Sequence, residues 1–191
     1  MAEESFLTEF CSAIRNGAGS EISSKILEGF DVQDESDTDR LADWIAGVVS
    51  RLDNETPPDI RSRIMRGMGY GCAVMHNAHT EAKQKRGKFG SLDEYIAHEE
   101  ENPYPGYSVT REGDRLLVTY NPSEMQVRCY CGPFGHLPPE KKVSLTYCEC
   151  SAGHVECIWR HVTGKPVSVD VLCSCIDGED ACKFVVNLNP K

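Results

Sequence analysis

The chain has 191 residues, 40% of them hydrophobic and 26% charged, with a formal net charge of -10. That size and balance suit one globular domain whose core needs no disulfide staples. The acidic excess argues against nucleic-acid binding, which needs a basic face to displace counterions, and against docking on anionic lipid.

The first ten residues, MAEESFLTEF, lack the basic and apolar regions of a secretory leader, and no run of 18 apolar residues follows. A cytoplasmic protein with no membrane partner is therefore expected. Residues 1–60 carry 14 acidic and 4 basic side chains, whereas 61–191 carry 16 of each. This reads as a solvated acidic face on N-terminal helices.

Leu7, Phe10, Cys11 and Ile14 recur at helical spacing until Gly17 and Gly19 interrupt them, and a short helix is expected over residues 22–30. Leu41, Trp44, Ile45, Val48, Val49 and Leu52 mark a strongly amphipathic helix, with Asp37 or Thr38 as its cap. In TPPD, Thr56 reads as the next cap, Pro57 and Pro58 as a first turn, and Asp59 as the closing residue of a capping box. A long helix is predicted from there to residue 85, with Ile60, Ile64, Met68, Cys72 and Met75 along one stripe. Gly67, Gly69 and Gly71 interrupt it at about 1 kcal/mol each relative to alanine. They either admit a backbone or ligand at close range or are local weaknesses. A short helix capped by Ser91 with Glu94 ends at Pro103 and Pro105.

The pattern then turns to strands. GYSVTREGDRLLVTYN predicts a hairpin turning at Glu112 and Gly113, MQVRCYC a third strand and VSLTYCEC a fourth. SAGHVECIWRHVTG predicts a helix between Ser151 and Gly164, and KPVSVDVLCSC and ACKFVVNL two further strands joined by IDGED. The expected fold is α+β: N-terminal helices packed on an antiparallel sheet interrupted by one helix. Residues 1–55 read as a helical extension and 56–191 as the main domain.

Ten cysteines are the unusual feature, and six fall in Cys-x-Cys pairs: Cys129/Cys131, Cys148/Cys150 and Cys173/Cys175. If each pair lies in a strand, its two thiols share one face of the sheet. In a reducing compartment such thiols hold metal, react, or fill a core as small apolar side chains. Four sulfurs at about 2.3 Å would make a closed structural zinc site. Cys148, Cys150, Cys173, Cys175 and Cys182 are the candidate metal ligands. His154 and Cys157, three apart on the predicted helix, could form a nucleophile–base pair, a ligand pair or a plain surface histidine beside a buried thiol. His76 and His79 read as solvated. No serine-hydrolase elbow, phosphate loop, zincin motif or dinucleotide fingerprint is present.

Residues 127–188 resemble the 4-vinyl-reductase-type small-molecule-binding domain, and more closely a Cys-rich bacterial branch of that superfamily. The resemblance rests on Cys148, then Gly164-Lys165-Pro166-Val167, then Gly178, Cys182 and Phe184. It implies a fold shared with subunits of the TRAPP vesicle-tethering complex, a hydrophobic ligand cavity between helices and sheet, and a homodimer. It also implies a structural zinc in aromatic-sensing members. That zinc is held by a Cys before the helix, a Glu and a Cys near the next strand's end, and the Cys of the last motif. Cys148 and Cys182 match the first and last. Ungapped spacing puts Val171 and Ser174 in the middle slots, flanked by Asp170, Cys173 and Cys175.

The expected function is thus cytosolic binding of a small hydrophobic molecule beside a zinc-binding cysteine cluster. Met68, Cys72, Met75 and Trp159 would line the cavity and Phe134 would cover it. A similar ending in L-2-amino-thiazoline-4-carboxylic acid hydrolases keeps an enzyme open, using a metal-activated water or a Cys nucleophile. An interaction subunit whose cavity is filled by side chains is the third alternative.

Overall fold

The computed structural model describes residues 6–29, 38–131, 134–135 and 141–190. Among these lie seven α-helices and a four-stranded antiparallel sheet, so the fold is α+β, with the N-terminal helices preceding the sheet. No helix of the described residues is long and apolar enough to cross a membrane.

The first helix, α1 (Phe6–Ala18), buries the predicted stripe Leu7, Phe10, Cys11 and Ile14. The second, α2 (Ser20–Ile26), is followed by α3 (Thr38–Glu55), which buries Leu41, Ile45, Val48, Val49 and Leu52. Asp37 lies outside the described residues.

The predicted capping box at Thr56 does not form. Thr56 donates its hydroxyl back to the Leu52 carbonyl (2.6 Å) and closes α3. Pro57, extended at ψ 153°, precedes α4 (Pro58–Met75) instead. Pro58 suits that first turn because the N–H it lacks would have no helical partner. The long helix also divides. Asn77 adopts a left-handed φ of 57°, which asparagine tolerates better than most residues, and α5 (Ala78–Arg86) starts beyond it. The break turns α5 onto a later helix, where the His79 and His161 rings meet at 4.6 Å. The next helix, α6 (Leu92–Glu101), is capped as predicted. The Glu94 N–H donates to Ser91 Oγ (3.1 Å), while the Glu94 carboxylate reaches one residue further, to the Gly90 N–H.

In the sheet, β1 (Tyr107–Glu112) and β2 (Arg115–Tyr120) form the expected hairpin, with Gly113 at φ 64°. Then β3 (Ser168–Cys173) and β4 (Cys182–Asn187) complete it in the order β1-β2-β4-β3. The last strand is therefore central, paired with β2 and β3 on its two sides.

The two other predicted strands are absent. Gln126 takes a left-handed φ of 58°, and the Arg128 N–H donates to the Gly135 carbonyl rather than to a neighbouring strand. Residues 126–131 are thus a loop. Leu145–Cys148 form a 3-10 turn that feeds directly into α7 (Glu149–Thr163). The helix therefore begins two residues before Ser151. It ends at Gly164, left-handed as expected.

Two apolar cores result. One joins α1–α4 to Cys129, Phe134, Val143, Tyr147, Cys148 and Ile176. The other lies between the sheet, α6 and α7, around Trp159, Tyr95 and Phe184. Ile64 and Met65 of α4 belong to the first core, so α1–α3 share apolar packing with residues beyond 55.

The seam between the cores is the crossing of α4 and α7. A Cβ on Gly69 would overlap the Cys150 carbonyl, and one on Gly153 would overlap the Arg66 backbone. At the same seam Arg66 bonds Glu149 (2.6 Å), Glu156 (3.3 Å) and the Val169 carbonyl (2.7 Å), tying α4 to α7 and β3. Gly67 and Gly71, by contrast, face open space.

Gly67, which faces open space, and Gly69 and Gly153, which meet at the α4–α7 seam, should therefore behave differently in chemical denaturation. Gly67→Ala removes a helix penalty and is expected to add up to about 1 kcal/mol. Gly69→Ala and Gly153→Ala force the helices apart and should each cost about 3 kcal/mol or more.

Candidate functional site: a divided thiol cluster

The thiols gather where the loop 126–131, the start of α7, the β3–β4 connection and one side of α4 meet. Their centre on the sheet side is Ser174, fully buried and cap of a 3-10 turn over Cys175–Asp177. The Cys148 thiol donates to Ser174 Oγ at 2.9 Å, and the Ile176 N–H donates to the same oxygen. With both lone pairs engaged, the hydroxyl proton is left for Cys182 Sγ, 3.5 Å away. The Cys175 N–H also donates to Cys182 Sγ (3.5 Å).

Burial raises the Cys148 thiol above its ordinary range. Burial, with Cys182 beside it, pushes Cys175 up to about 12. Cys148 and Cys175 are accordingly neutral near pH 7.

A second group lies on the α4 side. The Cys131 N–H donates to Cys129 Sγ (3.3 Å), and Cys131 Sγ sits 3.6 Å from Ser151 Oγ in the first turn of α7. The hydrogen bond from the Cys129 thiol brings Cys131 down to about 7, the Ser151 hydroxyl helping and burial opposing. Cys129 moves far up in consequence. Cys150 and Cys72 are raised chiefly by burial, and then by the charge on Cys131. The cluster thus has one end of neutral thiols around a serine and another with a thiol that ionises near neutrality.

The Cys-x-Cys pairs do not act as strand pairs. Cys129 and Cys131 sit in a loop, and Cys148 and Cys150 straddle the junction of the 3-10 turn and α7. At the third pair a register irregularity lies between Val171 and Cys173. It sends Cys173 toward the Ala181 carbonyl (3.4 Å), while Cys175 is buried next to Cys182. Of the five candidate ligands, Cys148, Cys175 and Cys182 surround Ser174. Cys150 lies toward Cys131, and Cys173 stands apart. Among the described residues, no group of three or more His, Cys, Asp or Glu side chains is set to hold a metal ion.

The residues expected to line a cavity also disperse. Met68 and Met75 border a groove of about 270 Å³ between α1 and α4, with Gly67, Gly71, Ala13 and Ser12. Cys72, half-buried on the same helix, lies toward Cys131 and Cys150. Phe134 is buried edge-on against Tyr147 (4.6 Å). Trp159 packs in the second core beside Tyr95. Cys157 Sγ is 3.9 Å from His161 Nδ1, so its histidine neighbour is one turn later in α7, not His154. His154 is half-buried, and burial holds its pKa below the ordinary value, with His76 adding to the effect.

Three residues central to this geometry carried little signal. Ser174 was marked by its place between two cysteines and by standing in a ligand slot of the resembled family, Ser151 only as a helix cap, and Arg66 by nothing. The chain matches no known protein family and no curated protein.

Ser174→Ala leaves the Cys148 thiol and the Ile176 N–H without their buried acceptor. It is expected to lower stability by about 1–2 kcal/mol in urea denaturation. Cys173→Ser, outside this network, should change it much less.

Proposed function

We propose that the protein is a small-molecule-binding domain that takes an uncharged, largely apolar ligand in the groove between α1 and α4. The groove itself carries this reading. Gly67 and Gly71 leave space where any larger side chain would stand, and Met68 and Met75 supply polarizable walls that adapt to a ligand's shape. Met75 is 50% exposed at the edge of the groove, where its thioether can reach a ligand. Glu9 and Ser12 on α1 offer hydrogen-bonding groups that would orient the ligand. The volume lies near the lower end of small-molecule sites, which favours a compact ligand.

A second reading is zinc at the sheet end, where Cys148, Cys175 and Cys182 lie near Ser174 and would have to turn toward one ion to bind it. Zinc there would take these three as thiolates, its fourth tetrahedral position left to another donor, and would link the start of α7 to the β3–β4 connection. Cys148 and Cys175 hold their protons near pH 7, so uptake would release protons and weaken as pH falls.

Two measurements test these readings. The neutral dye N-phenyl-1-naphthylamine should brighten saturably with the wild type. Gly71→Leu fills the groove and should weaken that binding at least tenfold while leaving the melting temperature the same or higher. Equal binding by the variant overturns the groove reading. For zinc, elemental analysis of untagged protein should give about one ion per chain, lost in Cys182→Ser and retained in Cys173→Ser. Protein that neither carries zinc nor takes it up refutes that site.

A further inference from the structure

The Cys129–Cys131 pair has a geometry that neither proposed activity uses. Cα atoms two residues apart lie about 5–7 Å from one another, overlapping the separation that a disulfide requires. The loop brings the sulfurs nearer than an extended strand would, because Cys129 Sγ folds back onto the Cys131 N–H at 3.3 Å. Tyr130, between them, fixes the turn. Its hydroxyl lies 3.2 Å from the Gly106 carbonyl and 3.3 Å from that of Asn121, which face each other at the open end of the β1–β2 hairpin. Arg128, the preceding residue, bonds the Cys175 carbonyl. The pair is thus held on a braced turn. Cys131 is half-buried, and Cys129 is buried behind it.

We propose that Cys131 and Cys129 form a thiol–disulfide exchange site whose substrate is a low-molecular-weight disulfide, Cys131 attacking and Cys129 resolving. In the first step the Cys131 thiolate attacks one sulfur of RS–SR. Its S–S bond breaks, a Cys131–SR mixed disulfide forms, and RS⁻ leaves. In the second step the Cys129 sulfur attacks Cys131 Sγ, giving the Cys129–Cys131 disulfide. The Cys129 proton departs with the second leaving group as RSH. The pair loses two electrons, and the substrate gains them as two thiols. The order of attack follows from position, since Cys131 Sγ lies beside Ser151 Oγ at the start of α7 while Cys129 Sγ is turned back onto the Cys131 N–H. It agrees with the Cys129 hydrogen bond that makes Cys131 the more acidic of the two. Attack by a thiolate whose pKa is close to ambient pH is favoured in such exchange. Ser151 Oγ, 3.6 Å from the sulfur, holds it toward the N-terminus of α7.

Oxidised glutathione is a suitable probe, because tryptic cleavage after Arg128 and Lys141 yields a peptide, 129–141, that contains these two cysteines and no other. Reduced full-length protein is incubated with the probe, quenched with N-ethylmaleimide and digested. Peptide 129–141 should appear lighter by two hydrogens, ahead of modification at any other cysteine. In Cys129→Ser the reaction should stop with glutathione attached to Cys131. The pH at half-maximal rate should rise from about 7 toward that of an ordinary thiol, since the hydrogen bond is gone. Cys131→Ser should leave position 129 unmodified.

The wild-type digest needs no variant and decides the proposal even if a substitution fails to fold. Three results would overturn it: an unmodified dithiol in peptide 129–141 while other cysteines react, a bond from Cys131 to Cys150, or glutathione captured by Cys129 as fast as by Cys131. None of these depends on the α1–α4 groove or on zinc.

Discussion

The close crossing of α4 and α7 is the constraint on which the rest of this structure depends. Gly69 and Gly153 let the two backbones meet with no side chain between them, and Arg66 locks the contact with bonds to Glu149, Glu156 and the Val169 carbonyl. Residues on either side of such a contact are carried to fixed heights. Cys72 of α4 comes to lie near Cys150 of α7, and the N-terminal turn of α7 comes under the loop that carries Cys131. The same crossing aims Gly67 and Gly71 away from α7, which opens the groove against α1. One packing decision therefore sets both candidate sites.

The thiols then divide by their hydrogen-bond partners. Around Ser174 a buried hydroxyl accepts from Cys148 and reaches Cys182. At Cys131 the donors are another thiol and a helix-start serine, which suits a charged sulfur. Burial acts on both groups, and in both a hydrogen bond opposes it. At Cys148 burial outweighs the Ser174 bond, whereas at Cys131 the bond from Cys129 outweighs burial.

Much of the helical architecture was legible. The stripe in α1, the apolar face of α3, the Ser91 cap of α6 and the Gly164 stop of α7 follow from spacing and from local chemistry. The β1–β2 hairpin and the last two strands were legible for the same reason. The errors share a cause. Residues 125–131 and 143–150 alternate apolar and polar as strands do, yet their apolar side chains fill the first core from a loop and a 3-10 turn. Alternation reports burial on one side, not a hydrogen-bonded neighbour. Gln126 and Asn77, which turn the chain by left-handed conformations, gave no unambiguous warning.

By itself the sequence determined the α+β class, the placement of most elements and the concentration of cysteine in the C-terminal half, because these rest on local periodicity, caps and composition. Tertiary structure decided which cysteines meet. It grouped Cys148, Cys175 and Cys182 around a serine, set Cys129 and Cys131 together near Cys150, and left Cys173 aside. It also gave three neighbouring glycines of one helix opposite tasks. The reason is that thiol proximity and backbone approach depend on how distant segments cross, and a helix crossing is fixed by the shape of both partners, which neither segment encodes alone.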